Sequence, residues 1–242
     1  MTNELSHFPE DWQRALAIVA HPDDMEYGAA SAVARWTSQG KVVDYVLVTS
    51  GEAGIDGLDP VECKPLREAE QRASGAAVGA GEPTFLGHRD GVVEYGLDLR
   101  RDLSRCIREH RPEVVITGNR RETWPGSGAL NMADHRHVGL ACLDAARDAG
   151  NRWIFPELVG EGFEPWNGVR LVALAGSPEA THGVDITGFL PQGIASLEAH
   201  ARYLEGLGPD YPPADMFLTT MAESAGPSLG VEHAVTFEVV ML

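Results

Sequence analysis

Apolar residues gather in short runs along the chain, each ending in a polar or glycine-rich segment. Residues 16–20 form a buried-strand pattern, and residues 42–49 form a second one rich in β-branched side chains. Shorter runs at 84–86 and 114–117 read the same way, and further strands are predicted at 169–175, 183–186 and 234–241. Between them lie helical patterns. One covers 28–39 and is stopped by Gly40; one covers 65–78 with Pro65 at its start; others cover 99–109, 135–149 (closed by Gly150) and 194–204. Strand and helix alternate as far as Gly150 and less regularly after it. There is no internal repeat, low-complexity tract or long linker. The pattern predicts an α/β fold: a single Rossmann-like domain over residues 1–242, its largely parallel sheet covered by helices on both faces.

Composition narrows the partners. With 19 basic and 36 acidic residues, the net charge is −17. Such a surface repels phosphate backbones and anionic headgroups, so neither nucleic acid nor membrane is an expected partner. Cys63, Cys106 and Cys142 are odd in number and widely spaced, which suits buried thiols better than disulfides or a sulfur-ligated metal. The N-terminal stretch is polar and no segment is long enough to span a bilayer, so the expected location is cytoplasmic.

Ligands of open α/β sheets bind beyond the carboxyl ends of the strands. Four reactive segments fall there. They are His21-Pro22-Asp23-Asp24, Glu52, Asp90, and a Gly- and Pro-rich loop with Trp124 that leads to Asp134-His135. A hydrolytic zinc site needs three N or O ligands and one open position. His21 and Asp24 share one turn stiffened by Pro22, and His135 at a helix start is the natural third ligand. Asp23 is then free to take a proton from water acidified by the metal. Each cluster also has a plain structural reading: an Asp-Asp pair commonly caps a turn, and Asp134 suits an N-cap. Together, on the rim of one sheet, they favour metal.

The run Ala20 to Asp24, with a small-residue helix behind it, resembles the LmbE-like, or PIG-L, deacetylase family. The resemblance continues through Thr49 to Glu52, Arg67 with Glu68 and Glu70, Phe85 to Gly87 with Asp90-Gly91, and Asn131 to Gly139. It implies a Zn2+ enzyme, or one using another divalent metal, that removes an acyl group, most simply acetyl, from an amino-sugar-like small molecule. It assigns His21, Asp24 and His135 as metal ligands and Asp23 as general base. Arg67 takes a structural role beside the site and Asp134 a supporting one, while Glu52 and Asp90 are candidates for contacts to substrate hydroxyls. One position departs: Met132 stands where sugar deacetylases of the family commonly carry a second histidine. His182 is the first candidate to replace it as an acid, with His88, His137 and His200 behind it; helical geometry turns His137 away from His135. Trp124, Trp153 and Trp166 are candidate platforms for a sugar ring. Competing readings are a non-catalytic metal- or small-ligand-binding protein on the same scaffold, and an amidase acting on a thiol-sugar conjugate. A nucleotide-binding role is disfavoured, because no GxGxxG follows the first strand. A homo-oligomer is compatible with the sequence, which leaves the state of assembly open.

Overall fold

The computed structural model describes residues 4–242. The first half of the chain runs β1 (Ser6–His7), β2 (Arg14–Val19), α1 (Asp24–Gly28), α2 (Ala30–Ser38), β3 (Val42–Leu47), α3 (Pro60–Ala77), β4 (Thr84–Phe85), α4 (Leu97–His110), β5 (Val114–Thr117) and α5 (Ala133–Asp148). The second half adds α6 (Pro156–Gly160), β6 (Leu171–Ala175), β7 (His182–Asp185), α7 (Leu190–Glu198), α8 (Ala201–Gly206), α9 (Ala214–Leu229) and β8 (Ala234–Met241).

All eight strands join one sheet in the order β1-β7-β8-β6-β5-β2-β3-β4. Every pairing is parallel except those of β8, which runs antiparallel between β6 and β7. Side chains alternate across the strands, so β2 sends Ala15, Ala17 and Val19 to one face and Leu16 and Ile18 to the other. The first face packs under Val33 and Trp36 of α2, Leu197 of α7, and Leu218 and Ala222 of α9. The second packs against Leu103 and Ile107 of α4 and Ala141 and Ala145 of α5. With both faces covered, unbroken apolar strands are what the sheet requires.

Several boundaries differ from the sequence pattern for local reasons. The helix expected at 28–39 is broken at Ala29 into α1 and α2, and α1 begins at Asp24, directly on the His-Pro-Asp-Asp turn. The helix expected from Pro65 starts at Pro60, because the Asp59 carboxylate accepts from Val61 N at 2.9 Å and caps it. The helix expected at 194–204 divides into α7 and α8 on either side of His200. The elements β1, α6 and α9 lack a clear periodic signal and were not anticipated.

The fold makes its crevice by topology. From β2 the chain moves outward to β3 and β4, then returns to β5 on the other side of β2. The carboxyl ends of β2 and β5 therefore face a point where the loops diverge, the usual ligand position in such sheets.

Candidate active site

His21 lies just beyond β2, and His135 sits on the first turn of α5 after β5. Between them stands Asp23, whose backbone is left-handed (φ 92°, ψ −22°). A non-glycine residue there must be held by its surroundings. Its N–H donates to Gln71 Oε1 at 3.2 Å, and Arg67 Nη2 donates to the preceding Pro22 carbonyl. The Gly51 loop presses on the same turn. A Cβ there would lie 3.0 Å from Pro22 Cδ and 3.1 Å from Arg67 Nε, and φ is +63°, so glycine is needed on both counts.

Two histidines and a carboxylate converge. His21 Nδ1 lies 3.1 Å from His135 Nε2, which is 3.0 Å from Asp24 Oδ1; His21 Nδ1 is 3.7 Å from Asp24 Oδ2. The opposite ring nitrogens are taken. His21 Nε2 faces Asp90 Oδ1 at 3.1 Å and Asp134 Oδ2 at 3.3 Å. His135 Nδ1 faces Asn131 Oδ1 at 2.9 Å. The Asn131 amide is oriented by its own N–H groups, which donate to the Asn119 and Arg121 carbonyls. Such outer partners fix the tautomers, so His21 Nδ1 and His135 Nε2 present lone pairs to each other. Two lone pairs and a carboxylate this close repel unless a cation lies among them, so the donor set fits a divalent metal. Electrostatics agree. Burial alone would lower the His21 pKa, yet Asp134, Asp24 and Asp90 raise it, and a cage that attracts a proton attracts a metal ion. The Asp24 carboxyl, despite burial, is held far below its ordinary value by His135 and His21.

A second set, His21 with Asp90 and Asp134, is equally close in space. Its carboxylates are already engaged. Asp134 accepts from Gly91 N at 2.8 Å and Val93 N at 3.1 Å, and Asp90 accepts from Ala53 N at 2.8 Å. Asp134 is also sealed from the cavity, at 1% exposure. It is no helix cap either: Met132 occupies the N-cap position of α5.

Asp23 lines the same cavity. Arg67 Nη2 donates to its Oδ2 at 2.8 Å, and the guanidinium lies 3.8 Å above the Tyr203 ring. Burial raises the Asp23 pKa, and Arg67 only partly pulls it back. Tyr203 and Gln71 were not found from the sequence, and Asn131 stood there only at the start of the resembling stretch, without a role. The side-chain roles of Gln71 and Asn131 depend on contacts 48 and 4 residues away, and Tyr203 lies on a short helix without a motif.

His21, Asp23, Asp24, Arg67, His135 and Tyr203 line a cavity of about 680 Å³ together with Tyr27, Trp124, Met132, Tyr211, Phe217 and Met221. Among the described residues its only histidines are His21 and His135. His182, the expected acid, is not there: it pairs across β8 with Phe237, two strands from β6, and its Nδ1 is 2.8 Å from the Thr181 hydroxyl. His88 pairs with Asp102, His137 faces the Val93 carbonyl, and His200 is fully buried beside Glu26. Glu52 also lies outside the cavity. Its two oxygens accept from Asp90 N and Ser50 N, which makes it a tie between loops. Of the three tryptophans only Trp124 lines the cavity, 5.6 Å from the His135 ring; Trp153 is exposed, and Trp166 donates to the Pro112 carbonyl.

The profile of the family described as GlcNAc-PI de-N-acetylase matches residues 16–146. A diacetylchitobiose deacetylase of Thermococcus kodakarensis is 26% identical over 93% of this chain and 82% of its own. A 1D-myo-inositol 2-acetamido-2-deoxy-alpha-D-glucopyranoside deacetylase of Kineococcus radiotolerans is 28% identical over 78% of this chain and 68% of its own. Among solved structures, the N,N'-diacetylchitobiose deacetylase of Pyrococcus horikoshii superposes with a TM-score of 0.84 at 24% identity, covering 96% of this chain and 85% of that one. That likeness speaks for the fold.

Proposed function

Because the chain belongs to the GlcNAc-PI de-N-acetylase (PIG-L) family, we propose that it is a metal-dependent amide hydrolase that removes an N-acetyl group from an amino sugar, with zinc as the metal. One observation carries the reading: His21, Asp24 and His135 converge beside the carboxylate of Asp23, which Arg67 holds, in a single cavity. The two relatives named as deacetylases of acetamido sugars support the substrate class.

His21, Asp24 and His135 would hold the ion, and Asp90, Asp134 and Asn131 keep the two imidazoles in orientation. A divalent ion bound there supplies Lewis acidity toward the acyl carbonyl and acidifies water. Asp23 takes a proton from the attacking water as its oxygen bonds to the acyl carbon. Its raised basicity suits that task. Arg67 fixes the carboxylate by the 2.8 Å hydrogen bond, and Tyr203 supports Arg67 from its other side. The carbon–nitrogen bond then breaks as the nitrogen takes the proton back from Asp23, giving acetic acid and the free amine. With Met132 unable to donate and no further histidine lining the cavity among the described residues, Asp23 serves in both directions.

The test is release of free amine from N-acetylated glucosaminides by zinc-loaded protein, compared with Asp23→Asn. Wild-type rates in that variant would overturn the assignment of Asp23. Absence of amine from every N-acetylated sugar would overturn the activity itself.

A further inference from the structure

We infer that the outer part of the cavity is a second binding site, built for an uncharged apolar aglycone attached to the acetamido sugar. The inference rests on the deacetylase reading and names the substrate class within it.

The site grows directly out of the metal-binding turn. Tyr27 is three residues beyond Asp24 on α1, one helical turn along. Its ring meets Phe217 edge-on, with centroids 5.5 Å apart and planes at 88°. Tyr211 stacks on Phe217 at 6.4 Å and 24°. On α9 the residues Ala214, Leu218 and Ala222 are buried against the sheet. Phe217 and Met221, four residues apart on the adjoining face, line the cavity instead. Met221 is 49% exposed and Met132 is 52% exposed. Two half-exposed methionines in the lining, one before α5 and one on α9, are costly for a site that takes only a polar sugar, and adaptable contacts for an apolar group.

Charge points the same way. Among the described residues, Arg67 is the only Lys or Arg in the lining, and it is paired with Asp23; Asp23, Asp24 and Asp90 line the cavity as well. A phosphate or carboxylate on the aglycone would meet no free cation and several carboxylates. A volume of about 680 Å³ exceeds what an acetamido group needs and lies in the range that encloses drug-sized ligands, roughly 300–1,000 Å³. The occupant is therefore neutral, apolar and joined to the reacting sugar. An aryl ring meets the tyrosine–phenylalanine cluster edge-on or offset, as aromatic pairs prefer.

The experiment compares methyl, phenyl and 4-carboxyphenyl N-acetylglucosaminides and diacetylchitobiose in two measurements. One is amine release by the zinc-loaded protein, and the other is calorimetric binding to metal-free protein, which needs no turnover. Phenyl should exceed methyl by on the order of tenfold or more in kcat/KM and in affinity, and 4-carboxyphenyl should fall below phenyl. Phe217→Ala should bring the phenyl preference toward one. Met221→Glu, at a half-exposed position that the fold tolerates, should do the same, while Met216→Ala on the outer face of α9 should leave it unchanged. Equal phenyl and methyl values, or diacetylchitobiose above phenyl, would overturn the aglycone site even if every sugar is deacetylated. If no sugar is deacetylated the activity fails, and the calorimetric ratio still decides whether the apolar site exists.

Discussion

Two overlapping acidic sets share His21, and replacing Asp134 separates them. As a supporting residue, Asp134 holds the His21 ring through Nε2 at 3.3 Å while accepting the N–H groups of Gly91 and Val93. Asp134→Asn keeps one acceptor oxygen of the two. One buried N–H then loses its partner, which costs about 1–3 kcal/mol of stability. For a chain of this length each kcal/mol lowers Tm by about 2–4 °C. The His21 ring loses one of its two charged partners, Asp90 remaining at 3.1 Å, and metal affinity should fall on the order of 10–100-fold, or about 1.4–2.7 kcal/mol. Asp24→Asn should weaken binding further, since it takes the negative charge from a proposed ligand. The assay is calorimetric titration of each metal-free variant with Zn2+, with thermal unfolding of the metal-free forms beside it. If Asp134→Asn loses metal as completely as Asp24→Asn does, Asp134 is a ligand and the assignment of the triad is wrong. If it loses stability alone, the carboxylate only anchors the loop.

Four further outcomes are expected. Asp23→Asn should keep its metal while turnover falls roughly 10²–10⁴-fold, the usual worth of general base catalysis; metal analysis and steady-state kinetics check both. Zn2+ at a hundred times its Kd should stabilise the wild type by about 2.7 kcal/mol, and His21→Ala should abolish the shift in Tm. Tyr203→Phe should leave kcat nearly unchanged because the ring that faces Arg67 remains, whereas Tyr203→Ala should lower it; equal losses would point to the hydroxyl instead. Burial opposes ionisation of Glu10, yet Arg35 and Trp36 hold its pKa below 4.5. Its folded value is thus the lower one, so this stability is present above the unfolded pKa and is lost as pH falls through the folded one. Glu10→Gln should flatten the acid limb of a plot of stability against pH.

The legible parts of the sequence were those set by short-range physics. Strands β2, β3 and β5 could be read because, covered on both faces, they must be apolar without interruption. The His-Pro-Asp-Asp turn could be read because three chemical groups crowd four positions at a strand end. Helix α9 could not: its buried stripe is largely Ala214, Leu218 and Ala222, too small to stand out, and Pro227 interrupts the pattern near its end. With α9 unread, and residues 194–204 read as a helix but without a place at the site, a wall of the cavity was missing, and nothing local ruled out His182. The register through Phe237 that places His182 away from His21 and His135 belongs to an antiparallel strand some fifty residues later, and no local pattern encodes it.

The polar connections of the site divide along the same line. Asp23 is held by Gln71 and Arg67, both on α3, a helix reached only after β3 and a long loop. Arg67 at 1% exposure cannot be a surface charge. A buried guanidinium with a carboxylate at 2.8 Å is costly to bring in and strongly destabilising to break. It makes sense where the carboxylate must stay ionised, oriented and free of the metal at once. Asp24 meets the opposite requirement: it accepts the His21 backbone N–H at 2.9 Å and faces His135 at 3.0 Å, on the ligand side of the turn. Adjacent aspartates thus acquire different chemistry from their neighbours. Asp23 takes its left-handed backbone where it meets Arg67 and Gln71 on α3, while Asp24 opens α1 toward the two histidines.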